Sequence, residues 1–99
     1  MSMPIATIGS STTGHGCWPP TTICQGSSDV ISQGLPAAYI SCAAIPHRCT
    51  SDPHPIHPLS VASGSSSVII NGYPAARVGD GMSCGDKIAV GKNTIIVGG

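Results

Sequence analysis

Three residues able to hold a soft divalent metal recur along this chain at matched spacing. Counted from the third residue of a Pro-x-Ala tripeptide in each case, Ala6 plus nine is His15, Ala38 plus nine is His47, and Ala76 plus eight is Cys84. Two imidazoles and a thiolate are three of the four ligands of a tetrahedral zinc site. The fourth is expected from the extra length between His47 and Gly64, which holds His54-Pro55 and His57-Pro58. Spacing alone does not choose between His54 and His57. Three His and one Cys form a closed set that leaves no position for water, the pattern of structural rather than catalytic Zn2+. A single histidine in such a loop would ordinarily be a solvated residue; three ligands at equivalent repeat positions reverse that reading.

Cys17 and Cys49 each stand two residues after an aligned histidine and are expected to lie close together, near enough for a bridge in an oxidising medium. Cys24 and Cys42 have no partner in this scheme and read as buried thiols. The four acidic residues are scattered, and none is placed to orient a catalytic histidine. The chain therefore reads as no enzyme, with a small zinc-dependent or thiol enzyme, or a stand-alone metal-binding adaptor, as the alternatives.

The elements that must position these residues repeat. GSSDVISQGLPAAYISC (26–42) overlays GSSSVIINGYPAARVGD (64–80) with nine of seventeen residues identical. The terminal GKNTIIVGG (91–99) matches the first half of that unit, and PIATIGS (4–10) resembles the missing second half. The repeat is cyclic, with units at about 4–35, 36–73 and 74–99 of a single 1–99 domain. Units arranged about a pseudo-threefold axis would bring the three ligands together on it. Val68-Ile69-Ile70 followed by Asn71-Gly72 predicts a strand and a tight turn. Ile88–Val97 reads as strand, turn, strand. Ile45–Leu59, with four prolines and three histidines, predicts a loop without regular structure. Apolar residues nowhere keep helical spacing, so the fold class is all-β.

With one Trp, two Tyr and no Phe among 99 residues, and 13 Gly and 9 Pro, apolar burial is thin and a metal staple is expected. Trp18 reads as a packing anchor. Charged residues are 8% of the chain and the net charge is zero, which argues against nucleic acid and anionic membrane as partners. No apolar run approaches the roughly 20 residues that span a bilayer, and the start lacks the features of a secretory signal, so cytoplasmic synthesis is expected. Five cysteines, an odd number, read as thiols or ligands in a reducing compartment.

At Pro74-Ala75-Ala76-Arg77-Val78-Gly79-Asp80 the chain resembles the PAAR-repeat proteins. Gly14-His15-Gly16-Cys17 before Pro19-Pro20, Pro46-His47-x-Cys49, His57-Pro58 ahead of Gly64-Ser65, and Ser83-Cys84-Gly85 extend the resemblance over nearly the whole chain. It departs at Tyr39 and Cys42, where the tetrapeptide's Arg and the following Asp would stand. The resemblance implies a small cone of β-hairpins with zinc near the point, and it favours His57 over His54 as fourth ligand. It also implies a membrane-piercing tip on the blunt end of a homotrimeric valine-glycine-repeat spike, one copy per trimer, in a type VI secretion system or a phage-tail-like contractile machine. On that reading the protein is exported at the tip of the machine. No effector extension is expected on this chain, so any effector would be a separate protein or borne by the spike. The broad end would offer strand edges and apolar contacts to the spike.

Overall fold

The computed structural model describes residues 3–14, 18–47 and 57–98, except for the side chains of His47, His57, Asn93 and Thr94. The described residues contain no helix and eight short strands: β1 (Met3–Ile5), β2 (Ile31–Ser32), β3 (Leu35–Pro36), β4 (Ala43–His47), β5 (His57–Ser60), β6 (Ile69–Ile70), β7 (Tyr73–Pro74) and β8 (Lys92–Val97). They pair antiparallel as β1–β8, β2–β3, β4–β5 and β6–β7. The fold is all-β.

Two of these pairs are the same hairpin. Ile31 lies opposite Pro36 and Ser32 opposite Leu35; Ile69 lies opposite Pro74 and Ile70 opposite Tyr73. Both turns hold positive φ at two successive residues, 51° and 82° at Gln33-Gly34 and 52° and 83° at Asn71-Gly72. That geometry matches the right-handed twist of the flanking strands, and Asn-Gly adopts it at least cost. A serine opens each unit. Ser27 Oγ accepts the N–H groups of Asp29 and Val30, and Ser65 Oγ accepts those of Ser67 and Val68.

The third pair departs from the expected strand–turn–strand over Ile88–Val97. β8 runs from Lys92 to Val97 and takes as its partner β1, from the opposite end of the chain, with Pro4 opposite Ile96. A proline thus faces an isoleucine here as in the two hairpins. Proline tolerates this place because a two-stranded sheet consists of edges, where no ladder donor is missed.

The three Pro-x-Ala segments meet in a closed cycle of backbone hydrogen bonds. Ala6 N–H donates to the Ala76 carbonyl (3.0 Å), Ala76 N–H to Ala38 (3.0 Å), and Ala38 N–H to Ala6 (2.9 Å). Two residues further on, Ile8 N–H donates to the Pro36 carbonyl, Ile40 to that of Pro74 and Val78 to that of Pro4, at 3.0, 2.9 and 3.0 Å. All three alanines are 0% exposed. A side chain larger than methyl would hold the three backbones apart. Ile23, Val61 and Ile88 lie buried with them, joined by Ala44, Leu59 and Met82, while Ile5, Ile70 and Val97 centre a second cluster with Ala37 and Ala75. The molecule is elongated, 40 × 26 × 21 Å.

The Pro- and His-rich segment is also more regular at its flanks than its composition predicts. Ala43 pairs with Ser60, Ala44 with Leu59, and His47 with His57, with a register shift between Ala44 and His47. Pro46 and Pro58 lie within these strands. In a two-stranded pair they need not contribute ladder donors, and the irregular register accommodates them.

Where the sequence places Ser10, Cys42 and Asp80 three residues after Thr7, Tyr39 and Arg77, the structure gives all three one job. Each side chain accepts the backbone N–H three residues before it: Thr7 N–H to Ser10 Oγ at 3.0 Å, Tyr39 N–H to Cys42 Sγ at 3.4 Å, and Arg77 N–H to Asp80 Oδ2 at 2.7 Å. Asp80 also takes the Arg77 fork, Nε on Oδ2 and Nη2 on Oδ1, both at 3.1 Å. This holds the guanidinium charged more firmly than usual. Arg77 Nη1 reaches the Gly98 carbonyl at 3.2 Å, which fastens the end of β8. Tyr39 instead stacks on Tyr73, with centroids 5.3 Å apart and planes 13° from parallel. Burial pushes the Cys42 thiol up, so it accepts its N–H as a neutral group.

Asp80→Ala removes a charge-assisted acceptor and the carboxylate partner of a largely buried guanidinium. It is expected to cost about 1–3 kcal/mol in urea unfolding, whereas Cys42→Ser, which restores the hydroxyl found at Ser10, is expected to cost less. Equal losses from the two changes would contradict the shared role.

Candidate functional site

Three similar buried positions lead into the segments of three predicted ligands. Downstream of the Ala6–Ala38–Ala76 cycle, Thr12, Ala44 and Met82 are buried and bridge to Ile88, Ile23 and Val61 respectively. From these three positions the chain runs three residues to His15, three to His47 and two to Cys84. The layer that leads to each candidate ligand is therefore built alike in all three places.

β4 and β5 position two histidines. His47 and His57 are direct Cα partners across the antiparallel pair, so the chain leaves the sheet at one of them and returns at the other. Cys84 sits in the loop after Met82, half-buried against the main core cluster. That loop is fastened to β5: Ser83 N–H donates to the Ser60 carbonyl at 2.8 Å, and Ser83 Oγ accepts Ser60 N–H at 3.1 Å. Cys84 is thereby held beside the strand that begins with His57.

His15, Cys17, Cys49 and His54 lie outside the described residues, as does the expected proximity of Cys17 and Cys49. Among the described residues no group of three His, Cys, Asp or Glu gathers, and all four histidine side chains are outside that set. The donor chemistry fits zinc: imidazole and thiolate are its usual ligands, and His47, His57 and Cys84 come from adjoining segments.

The pair of thiols expected to be buried divides. Cys42 is buried, but Cys24 is exposed, with Sγ 3.4 Å from the Ala43 carbonyl. Strand alternation explains the difference, because Ile23 points inward and its successor must point out; Ala62 and Ala89 after Val61 and Ile88 are likewise exposed.

Sequence reasoning passed over Asp86. It is fully buried, and its Oδ2 accepts Thr12 Oγ1 at 2.6 Å and Gly14 N–H at 3.2 Å. A signal was available: an Asp two residues after the candidate ligand Cys84, in a chain where only 8% of residues are charged, is not a random surface group.

The family model described as PAAR motif matches residues 13–90, which takes in the candidate ligands together with the 64–80 repeat. The chain belongs to the PAAR-motif family. Among curated proteins, none matches it by sequence. PAAR-motif proteins are structural spike-tip proteins rather than enzymes, and membership ties this chain to type VI secretion-like machines. No described helix of this PAAR protein is long and apolar enough to cross a membrane.

Proposed function

We propose that this chain is the sharpened end-piece of a contractile injection machine, one copy capping the blunt end of a homotrimeric valine-glycine-repeat spike, with Zn2+ held near its point. The observation that carries the reading is the cyclic bonding of Ala6, Ala38 and Ala76 together with three isoleucines in like places. Ile31, Ile69 and Ile96 stand opposite Pro36, Pro74 and Pro4, and are 54%, 57% and 54% exposed. Their chain neighbours Ser32, Ile70 and Val97 are buried. One chain thus offers three similar apolar strand surfaces, the number a homotrimer requires from a single partner.

On this reading the zinc ligands are His15, His47, His57 and Cys84, with His54 the substitute should His57 fail. The ion when bound links the three loops into one point, where a conventional apolar core would be too wide. Effector proteins travel with the tip, which is made in the cytoplasm, meets the target membrane transiently and leaves on the spike.

Size-exclusion with light scattering on a mixture of this protein and the spike trimer is expected to give a mass of one chain plus three spike subunits. Three copies per trimer, or no complex, would overturn the proposal.

A further inference from the structure

Asp86 does more than fill a gap in the core. Its Oδ2 receives Thr12 Oγ1 at 2.6 Å and Gly14 N–H at 3.2 Å, and its backbone carbonyl accepts Met82 N–H at 2.7 Å. Thr12 Oγ1 in turn accepts Thr21 N–H at 3.0 Å. The next residues reinforce the seam: Thr13 N–H donates to the Lys87 carbonyl at 2.8 Å, and Lys87 N–H to Thr13 Oγ1 at 3.1 Å. One fully buried carboxylate therefore ties Gly14, the residue before His15, to the Met82–Asp86 loop that carries Cys84.

The neighbouring junctions are tied differently. Thr21 Oγ1 donates to the Ile45 carbonyl at 2.7 Å, and Ser83 Oγ accepts Ser60 N–H at 3.1 Å. Both ties are neutral and neither is fully buried. Burying a carboxyl group costs more than burying a hydroxyl, and the proposed metal offers one compensation. Three imidazoles and one thiolate around Zn2+ leave a net charge of one positive unit, which a carboxylate two residues from the thiolate ligand would offset.

We infer that Asp86 is a positioning residue of the zinc centre, fixing the distance between the loop ends that bear His15 and Cys84 and balancing the charge of the loaded site. The inference rests on the zinc set proposed above. A group of this kind acts on metal affinity and ligand geometry, and loss of such outer contacts typically weakens metal binding about 10–100-fold.

The test is zinc affinity of the full chain by competition with a chromophoric chelator, alongside the visible spectrum of the Co2+-loaded protein and the melting temperature of the metal-free form. Asp86→Asn keeps the shape and removes the charge. It is expected to retain one metal per chain, bind zinc about 10–100-fold more weakly, and shift the Co2+ bands. A purely structural Asp86 would lower the metal-free melting temperature while leaving affinity and spectrum as in the parent, and that result overturns the inference. Should Asp86→Asn fail to fold, Thr12→Val removes one tie without touching the carboxylate; weaker zinc binding, restored by Thr12→Ser, supports the role, and unchanged binding rejects it. A parent chain that takes up no zinc at all would bring down the zinc reading itself, a failure seen before any variant is compared.

Discussion

Stripping zinc from this protein, or replacing Cys84 with serine, is expected to lower its melting temperature by tens of degrees. Structural zinc in small sites contributes on the order of 10 kcal/mol of apparent binding energy near neutral pH, similar to the whole stability of a domain this size, about 5–15 kcal/mol. Each kcal/mol moves the midpoint of a 60–100-residue domain by about 4–8 °C. The protein's own packing cannot absorb such a loss, because its core is built from alanines and a few Ile, Val, Leu and Met residues. His47→Ala and His57→Ala should follow Cys84→Ser, whereas His54→Ala should change little. Protonation of the imidazoles competes with the metal, so affinity falls as pH is lowered through the histidine range near about 6.5. Protein that purifies without zinc and melts cooperatively at one temperature with or without chelator would contradict this use of the histidines.

What could be read from the residues followed from how local each signal is. Asn71-Gly72 after three β-branched residues specifies a turn without help from the rest of the chain, and the structure has it, repeated at Gln33-Gly34. The pairing of β1 with β8 was legible only as a half-motif at each end, since nothing local in Lys92–Val97 says that its partner is Met3–Ile5. Prolines misled in the Ile45–Leu59 segment, where Pro46 and Pro58 read as strand breakers. They break strands in wide sheets, where each residue must donate, and the β4–β5 pair has no third strand to serve. Asp86 was missed because its role depends on Gly14, 72 residues away, and Thr12, 74 away.

Departures inside the repeat were legible as substitutions and not as mechanism. Tyr39 and Cys42 replace a side-chain pair seen intact at Arg77 and Asp80, yet the backbone bond that matters survives the exchange, through sulfur. What changes is the second partner. Arg77 fastens β8 through Gly98, while Tyr39 fastens the β6–β7 hairpin through the ring of Tyr73.

A methyl group placed where the units cross should destabilise the fold more than any surface change, and its position in the repeat predicts which glycines suffer. Gly26, Gly64 and Gly91 stand at one repeat position, separated by 38 and 27 residues, and each lies against one of the Pro-x-Ala segments that meet in the alanine cycle. A Cβ on Gly64 would sit 2.6 Å from the Ala75 carbonyl oxygen, one on Gly91 2.5 Å from that of Ile5, and one on Gly26 2.9 Å from that of Pro36. Those oxygens belong to backbone that is already bonded: Ala75 O, for example, accepts Ser65 N–H at 2.8 Å. The obstacle cannot swing aside as a side-chain tip would, so the strand must shift and carry the alanine cycle with it. Overpacking of this kind costs about 1–3 kcal/mol and occasionally more. Gly81 provides the control, since its Cβ would meet only Ser63 Oγ at 3.7 Å, an ordinary contact, and its φ is not positive. There the change to alanine lowers the entropy of the unfolded chain and is expected to be neutral or stabilising by about 0.4–1 kcal/mol. Urea unfolding of Gly26→Ala, Gly64→Ala, Gly91→Ala and Gly81→Ala decides the matter: the first three should fall together, below the parent, and the fourth should not. A Gly64→Ala protein as stable as the parent would mean that the Pro-x-Ala segments do not pack as closely as their hydrogen bonds require.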